Sequence, residues 1–253
     1  MSEKPAVLVT GGARRIGAAI SRRFAEGGWH VAIHCNRSAA EAEALAAELP
    51  SAIAVHCDLV DGDNAFDFAN SLAARLDDWR VLVNSASVFA ADDMHTLDPR
   101  TFAEAMQVNA RAPVAMAQDY LRLARSSAGR RVIQVTDQKL ANPNPDFFSY
   151  TMSKHALAGT VPMMAMAANP ADRVYALAPG AILASHDQDP AEAEASHRMN
   201  LLQRRTGADE VAEAAWFLAT GPLESGQTLY VDSGQHLLDQ PRDVIFLARG
   251  EAG

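Results

Sequence analysis

Short aliphatic runs recur along this chain, separated by longer stretches with a polar and an apolar side. The runs are Ala6–Val9, Val31–Ile33, Ala52–Val55, Val81–Val83, Val132–Val135, Val174–Leu177 and Thr228–Val231. Most are apolar at every position rather than at every second one, the pattern of strands covered on both faces. The stretches between them are long enough for crossover helices. Repeated units of this kind predict an α/β fold with a doubly wound, seven-stranded parallel sheet. No internal repeat, linker or low-complexity block breaks the series, so one domain is expected over 1–253. A long helix is expected from about Pro99 to Arg125, with Asn109 in its middle and Pro113 as a point of bending. A helix starting near Ser149 and another over Ala208–Thr220 follow the same logic. The segment 181–204, rich in Ala, Glu and Asp, reads as a mobile flap.

Chemistry-bearing residues fall where strands give way to loops, the place where open α/β sheets hold ligands. After the first run comes Thr10-Gly11-Gly12-Ala13-Arg14-Arg15-Ile16-Gly17, leading into an amphipathic stretch. Glycines let the backbone approach a pyrophosphate, and a helix start offers free N–H groups. Arg15 stands where the usual dinucleotide turn has an inner glycine. The second run ends in His34-Cys35-Asn36-Arg37-Ser38, with no acid to take a ribose 2′-hydroxyl. Arg37 and Ser38, with Arg15 as a second guanidinium nearby, favour a 2′-phosphate and therefore NADPH. Asp58 after the third run could accept from an adenine amino group or cap the helix beginning near Asp61.

Tyr150 and Lys154 are four residues apart on an expected helix, so they share a face. An ammonium beside a phenol favours the phenolate, and the expected consequence is a lowered tyrosine pKa. Asp137 lies thirteen residues upstream, just past the fifth run.

Composition narrows the partners. A net charge of −9 argues against nucleic acid or an anionic membrane surface. The longest apolar run, 161–168, is far too short to span a bilayer, and no signal-peptide pattern is present. Cys35 and Cys57 read as reduced thiols, which with the other features points to the cytoplasm. His186 and His197 lie in the flap without metal-ligand spacing around them; surface positions and no metal are expected.

Taken in order, Thr10-Gly11…Gly17, Asp58, Asn84-Ser85-Ala86, Asn109, Tyr150…Lys154 and Pro179-Gly180 resemble the short-chain dehydrogenase/reductase family along nearly the whole chain. Three departures, Arg15, Ser85-Ala86-Ser87 for Asn-Ala-Gly, and Asp137 for the usual serine, resemble its pteridine reductase branch, which includes dihydromonapterin reductases. Phe89 and Arg37-Ser38 match that branch as well.

The resemblance implies a single-domain Rossmann fold and an NADPH site made by Thr10, Gly11, Arg15, Ile16, Gly17, Arg37, Ser38, Asp58, Leu59, Asn84, Ser85, Ala86, Tyr150, Lys154, Pro179 and Gly180. It implies substrate contacts from Ser87, Phe89, Asp137 and Tyr150, with a pterin between Phe89 and the nicotinamide; an ordinary buried aromatic is the competing reading of Phe89. Catalysis would rest on Asp137, Tyr150 and Lys154, with Asn109 holding a water. The implied reaction is hydride transfer to a C=N bond of a dihydropterin or dihydrofolate-like ring, in a homotetramer. Reduction of a ketone or 3-oxoacyl thioester is the alternative within the family, and a non-catalytic NADP-binding regulator the alternative outside it.

Overall fold

The computed structural model describes residues 4–184 and 188–251, and at 62–66 the backbone alone. The strands are β1 (Ala6–Thr10), β2 (His30–Cys35), β3 (Ala52–His56), β4 (Trp79–Asn84), β5 (Arg131–Val135), β6 (Arg173–Pro179) and β7 (Thr228–Val231). They form one sheet in the order β3-β2-β1-β4-β5-β6-β7, with every neighbouring pair parallel. Each apolar run is a strand, and several extend into the polar residues that follow them. The helices are α1 (Arg15–Glu26), α2 (Ala39–Glu48), α3 (Gly62–Ala73), α4 (Pro99–Met106), α5 (Ala112–Leu123), α6 (Phe148–Ala167), α7 (Pro190–His197), α8 (Ala208–Thr220) and α9 (Val244–Ala248).

Both faces of the sheet are covered, which explains runs without polar alternation. In β1, Val7 and Val9 pack into the layer of Ile20, Phe24 and Leu218, while Ala6 and Leu8 pack into that of Leu72, Met116 and Tyr120. Phe24, fully buried, meets Trp29 and Trp216 edge-on. Truncating it to alanine would cost about 3–5 kcal/mol. The strand order reverses at β1, which has β2 on one side and β4 on the other. Thr10 and Asn84 lie opposite each other there, so the switch point opens where the polar strand ends converge.

The expected long helix is broken. A π turn, Gln107–Arg111, separates α4 from α5. The wider turn holds Asn109 inward at 1% exposure, where a mid-helix asparagine would otherwise be poorly placed. Pro113 sits at the start of α5, so the missing N–H interrupts little, and its carbonyl accepts from Asn84 Nδ2.

The flap also differs from expectation. Within it, Asp189 and Glu192 form a capping box that starts α7, and α7 packs against α9. His197 at its end is buried, because this face of α7 is covered by the chain around it. It is not the surface histidine expected; His186 lies outside the described residues.

Candidate active site

The glycine-rich turn is shaped by contacts from three strands. Gly11 has φ of +62°, and a Cβ there would meet Ala86 Cα at 3.0 Å. At Gly17 a Cβ would sit 2.1 Å from the Gly11 carbonyl oxygen, so only glycine fits where α1 crosses the turn. Thr10 Oγ1 accepts from the main-chain N–H of both Ser85 and Ala86 at 3.0 Å, locking the ends of β1 and β4 together. Arg14 makes no side-chain cap at the start of α1, and that turn has no acid. Its first N–H groups, with those of Ile16 and Gly17 among them, therefore receive no side-chain acceptor from Arg14 or from an acid of that turn.

His34 organises this turn, a role the sequence did not reveal. Its Nδ1 accepts from Gly11 N–H at 3.1 Å, so its Nε2–H donates to the Cys57 carbonyl at 3.0 Å. Burial drives its pKa down from 6.5 to about 4, and the neutral ring braces β1 against β3.

At the end of β2, Arg37 is exposed and has no carboxylate partner among the described residues. Ser38 begins α2 without using its hydroxyl as a cap. Asp58 accepts from Asn36 Nδ2 and from Val60 N–H, each at 3.0 Å, and so ties β2 to β3. Leu59 is buried, and its carbonyl accepts from Gln107 of the π turn.

Arg15 takes a strained backbone position in this turn. It is held at φ of +53°, a region that costs a non-glycine residue about 1 kcal/mol or more. Its guanidinium reaches across the turn to the carbonyls of Leu183 and Ala184 at 3.1–3.2 Å. It therefore bridges the glycine turn to the loop beyond β6. This loop follows Pro179 and Gly180 at the end of β6.

Asp137, Tyr150 and Lys154 converge at the end of β5. Tyr150 donates its hydroxyl to Asp137 Oδ2 at 2.6 Å, and Lys139 main-chain N–H donates to Asp137 Oδ1 at 2.8 Å. Lys154, 2% exposed, donates to the Val135 carbonyl at 2.8 Å and lies 5.7 Å from the Tyr150 ring. Burial lowers the Lys154 pKa to about 8, with Asp137 acting against it. Burial raises the Asp137 pKa, while its bonds from Tyr150 and Lys139 pull the other way. The Tyr150 pKa is pushed well above its usual value by burial and then by Asp137. This reverses the expected lowering: the nearest charge to the phenol is the carboxylate, and the ammonium is turned to a strand carbonyl. The pair therefore retains a proton at neutral pH.

Phe89 closes one side, edge-on to Tyr150 with centroids 4.8 Å apart and stacked on Phe147 at 4.1 Å. It is 47% exposed, so it is not the buried aromatic of the competing reading. Asn109 is fully committed. Its Oδ1 accepts from Val88 N–H and Ser87 Oγ, and its Nδ2 donates to the Val88 carbonyl and Ser153 Oγ. Its side chain thus positions the Ser87–Phe89 segment against α6. Lys139, Phe147, Asp243 and Phe246 also belong to this site. Only their long-range contacts reveal it; no local motif does.

A parallel doubly wound sheet with a glycine turn at its switch point and a Tyr–Lys pair beyond β5 defines a dinucleotide-dependent oxidoreductase. The chain belongs to the short-chain dehydrogenase/reductase family. A family model described as enoyl-(acyl carrier protein) reductase matches residues 11–236. A protein of Streptomyces violaceoruber, named as ketoacyl reductase 2 of the granaticin polyketide synthase, is 33% identical over 93% of this chain and 98% of its own. The dihydromonapterin reductase of Citrobacter koseri is 26% identical over 91% of this chain and 96% of its own. Among solved structures, FolM alternative dihydrofolate reductase 1 from Brucella suis in complex with NADP has a TM-score of 0.88 at 36% identity. That match covers 94% of this chain and 97% of the other.

Proposed function

We propose that this protein is an NADPH-dependent reductase of the C=N bond of a dihydropterin or dihydrofolate-like ring. The observation that carries the proposal is the bond from Tyr150 to Asp137, with Phe89 edge-on to the same tyrosine. NADPH, when bound, supplies the hydride to the ring carbon. Arg37 and Ser38 suit its 2′-phosphate, the start of α1 its pyrophosphate, and Lys154 its nicotinamide ribose. As hydride arrives, the ring nitrogen becomes basic and takes the Tyr150 proton. Asp137, whose pKa burial raises, takes up a proton from solvent and passes it to the tyrosinate, which restores the pair. Phe89 presents a flat, open face to a planar heterocycle. The resemblance to a dihydromonapterin reductase and a dihydrofolate reductase supports this reading.

Reduction of a ketone or 3-oxoacyl thioester is the second reading, favoured by the likeness to a ketoacyl reductase. NADPH oxidation with dihydropterins, dihydrofolate and simple ketones in parallel separates the two, with NADH as the control. Pterin-dependent oxidation preferring NADPH is the expected result. Turnover of carbonyl compounds alone would overturn the pterin assignment and keep the tyrosine mechanism. We also propose a cytoplasmic homotetramer without a metal.

A further inference from the structure

The chain beyond Gln240 carries no motif, yet it forms one wall of the site. Asp243 caps α9 by accepting from Ile245 N–H at 3.1 Å, and its own N–H donates to Asp146 Oδ2 at 2.7 Å. Arg242 pairs with Asp146 at 2.9 Å and lies over the Phe246 ring at 4.7 Å. Phe246 lies nearly parallel to Phe147, with centroids 5.8 Å apart, and Phe147 in turn supports Phe89. Lys139 joins these pieces. It is 5% exposed, donates to the Asp146 carbonyl at 2.6 Å and pairs with Asp243 at 3.3 Å. The same residue's main-chain N–H holds Asp137 Oδ1, opposite the oxygen that Tyr150 holds.

A buried ammonium needs a carboxylate, and a carboxylate that loses its cation in such a place is strongly destabilised. The pair therefore ties the turn after β5 to the C-terminal segment, and Phe147 is held at φ of +52° between them. We propose that Lys139 and Asp243 are a positioning clasp for the reaction, seating the segment 242–246 against Asp137 and Tyr150 and fixing the aromatic wall behind Phe89. This rests on the roles assigned above to Asp137 and Tyr150. Asp137 is faced by Tyr150 and Lys154 from α6, by Lys139 from its own turn and by Asp243 from the start of α9. The Asp243 charge favours the protonated forms of both Asp137 and Tyr150.

The test uses Asp243→Asn, Lys139→Met, the double variant and the conservative Lys139→Arg. Steady-state kinetics are taken across pH, with NADPH affinity from its fluorescence and hydrogen–deuterium exchange over 242–248. Each charge-removing single variant is expected to lose about ten- to a hundred-fold in kcat/KM with NADPH affinity unchanged. The double variant, neutral again, is expected to lose no more than one single variant, and Lys139→Arg to retain most activity. In Asp243→Asn the high-pH limb of the rate profile moves to lower pH, and exchange over 242–248 rises. Wild-type kcat/KM in the single variants would overturn the clasp. So would losses that track melting temperature with the pH profile unmoved. If the wild-type protein turns over neither pterins nor carbonyl compounds, the proposed reaction fails by itself. Exchange then decides the clasp: unchanged protection over 242–248 in the single variants overturns it.

Discussion

Tyr150 gives its hydroxyl to Asp137 across 2.6 Å, and the carboxylate, not the neighbouring ammonium, controls the phenol. Two acids in such contact titrate as a pair, and burial of both favours the form that keeps a proton. Tyr150→Phe is expected to lower kcat by about 10²–10⁴-fold, the range for loss of a general acid. Asp137→Ala should fall in the same range, and the double variant little further, because the residues act as one unit. NADPH binding, followed by fluorescence, should survive in all three. Undiminished turnover in Tyr150→Phe would remove the proton-donor role.

Arg37 is exposed at the end of β2 and has no carboxylate partner among the described residues. A charged hydrogen bond to phosphate contributes about 2 kcal/mol, which corresponds to roughly 30-fold in affinity. Arg37→Ala should therefore raise the NADPH Kd by about that factor and leave NADH binding unchanged. Arg15→Ala should not mimic it, since that guanidinium bonds Leu183 and Ala184. Equal losses toward both cofactors in Arg37→Ala would place the 2′-phosphate elsewhere.

His34 links folding stability to pH. Its pKa is about 4 in the folded protein and 6.5 as a free side chain, so the unfolded chain takes up the extra proton. Stability should therefore be lost as pH falls from 6.5 to about 4, by roughly 3 kcal/mol in total. Urea unfolding across that window, wild type against His34→Asn, isolates the contribution. A difference between the two proteins that does not change with pH would refute it.

Met163 and Met166 are 64% and 81% exposed along α6, and a surface groove runs between α5 and α6 past Val114, Gln118 and Met164. Apolar side chains in a groove away from the reacting groups suit burial against a second copy. Light scattering should give a tetramer, and Met166→Glu should shift it toward smaller species with the circular dichroism unchanged. A wild-type monomer would contradict this.

The sheet was legible because its signal is local. Seven apolar runs become seven strands, and those in the middle of the sheet are apolar throughout because they are buried on both faces. The Tyr150–Lys154 spacing and the glycine turn were legible for the same reason: helical periodicity and steric room at φ above zero are properties of a few consecutive residues. These features, with Asp137 and Phe89, were enough to reach the family.

Tertiary structure alone decided the rest. Arg15 meets Ala184 across 169 positions and Lys139 meets Asp243 across 104, and nothing near either residue foretells its partner. Asn109 became a brace only because the π turn carried it inward, and His197 became buried only because the chain around α7 covers it. The direction of the Tyr150 pKa followed from its burial and then from the carboxylate of Asp137, both set only once the chain is folded. Sequence spacing specifies which groups share an element; desolvation and distance between elements set how those groups ionise.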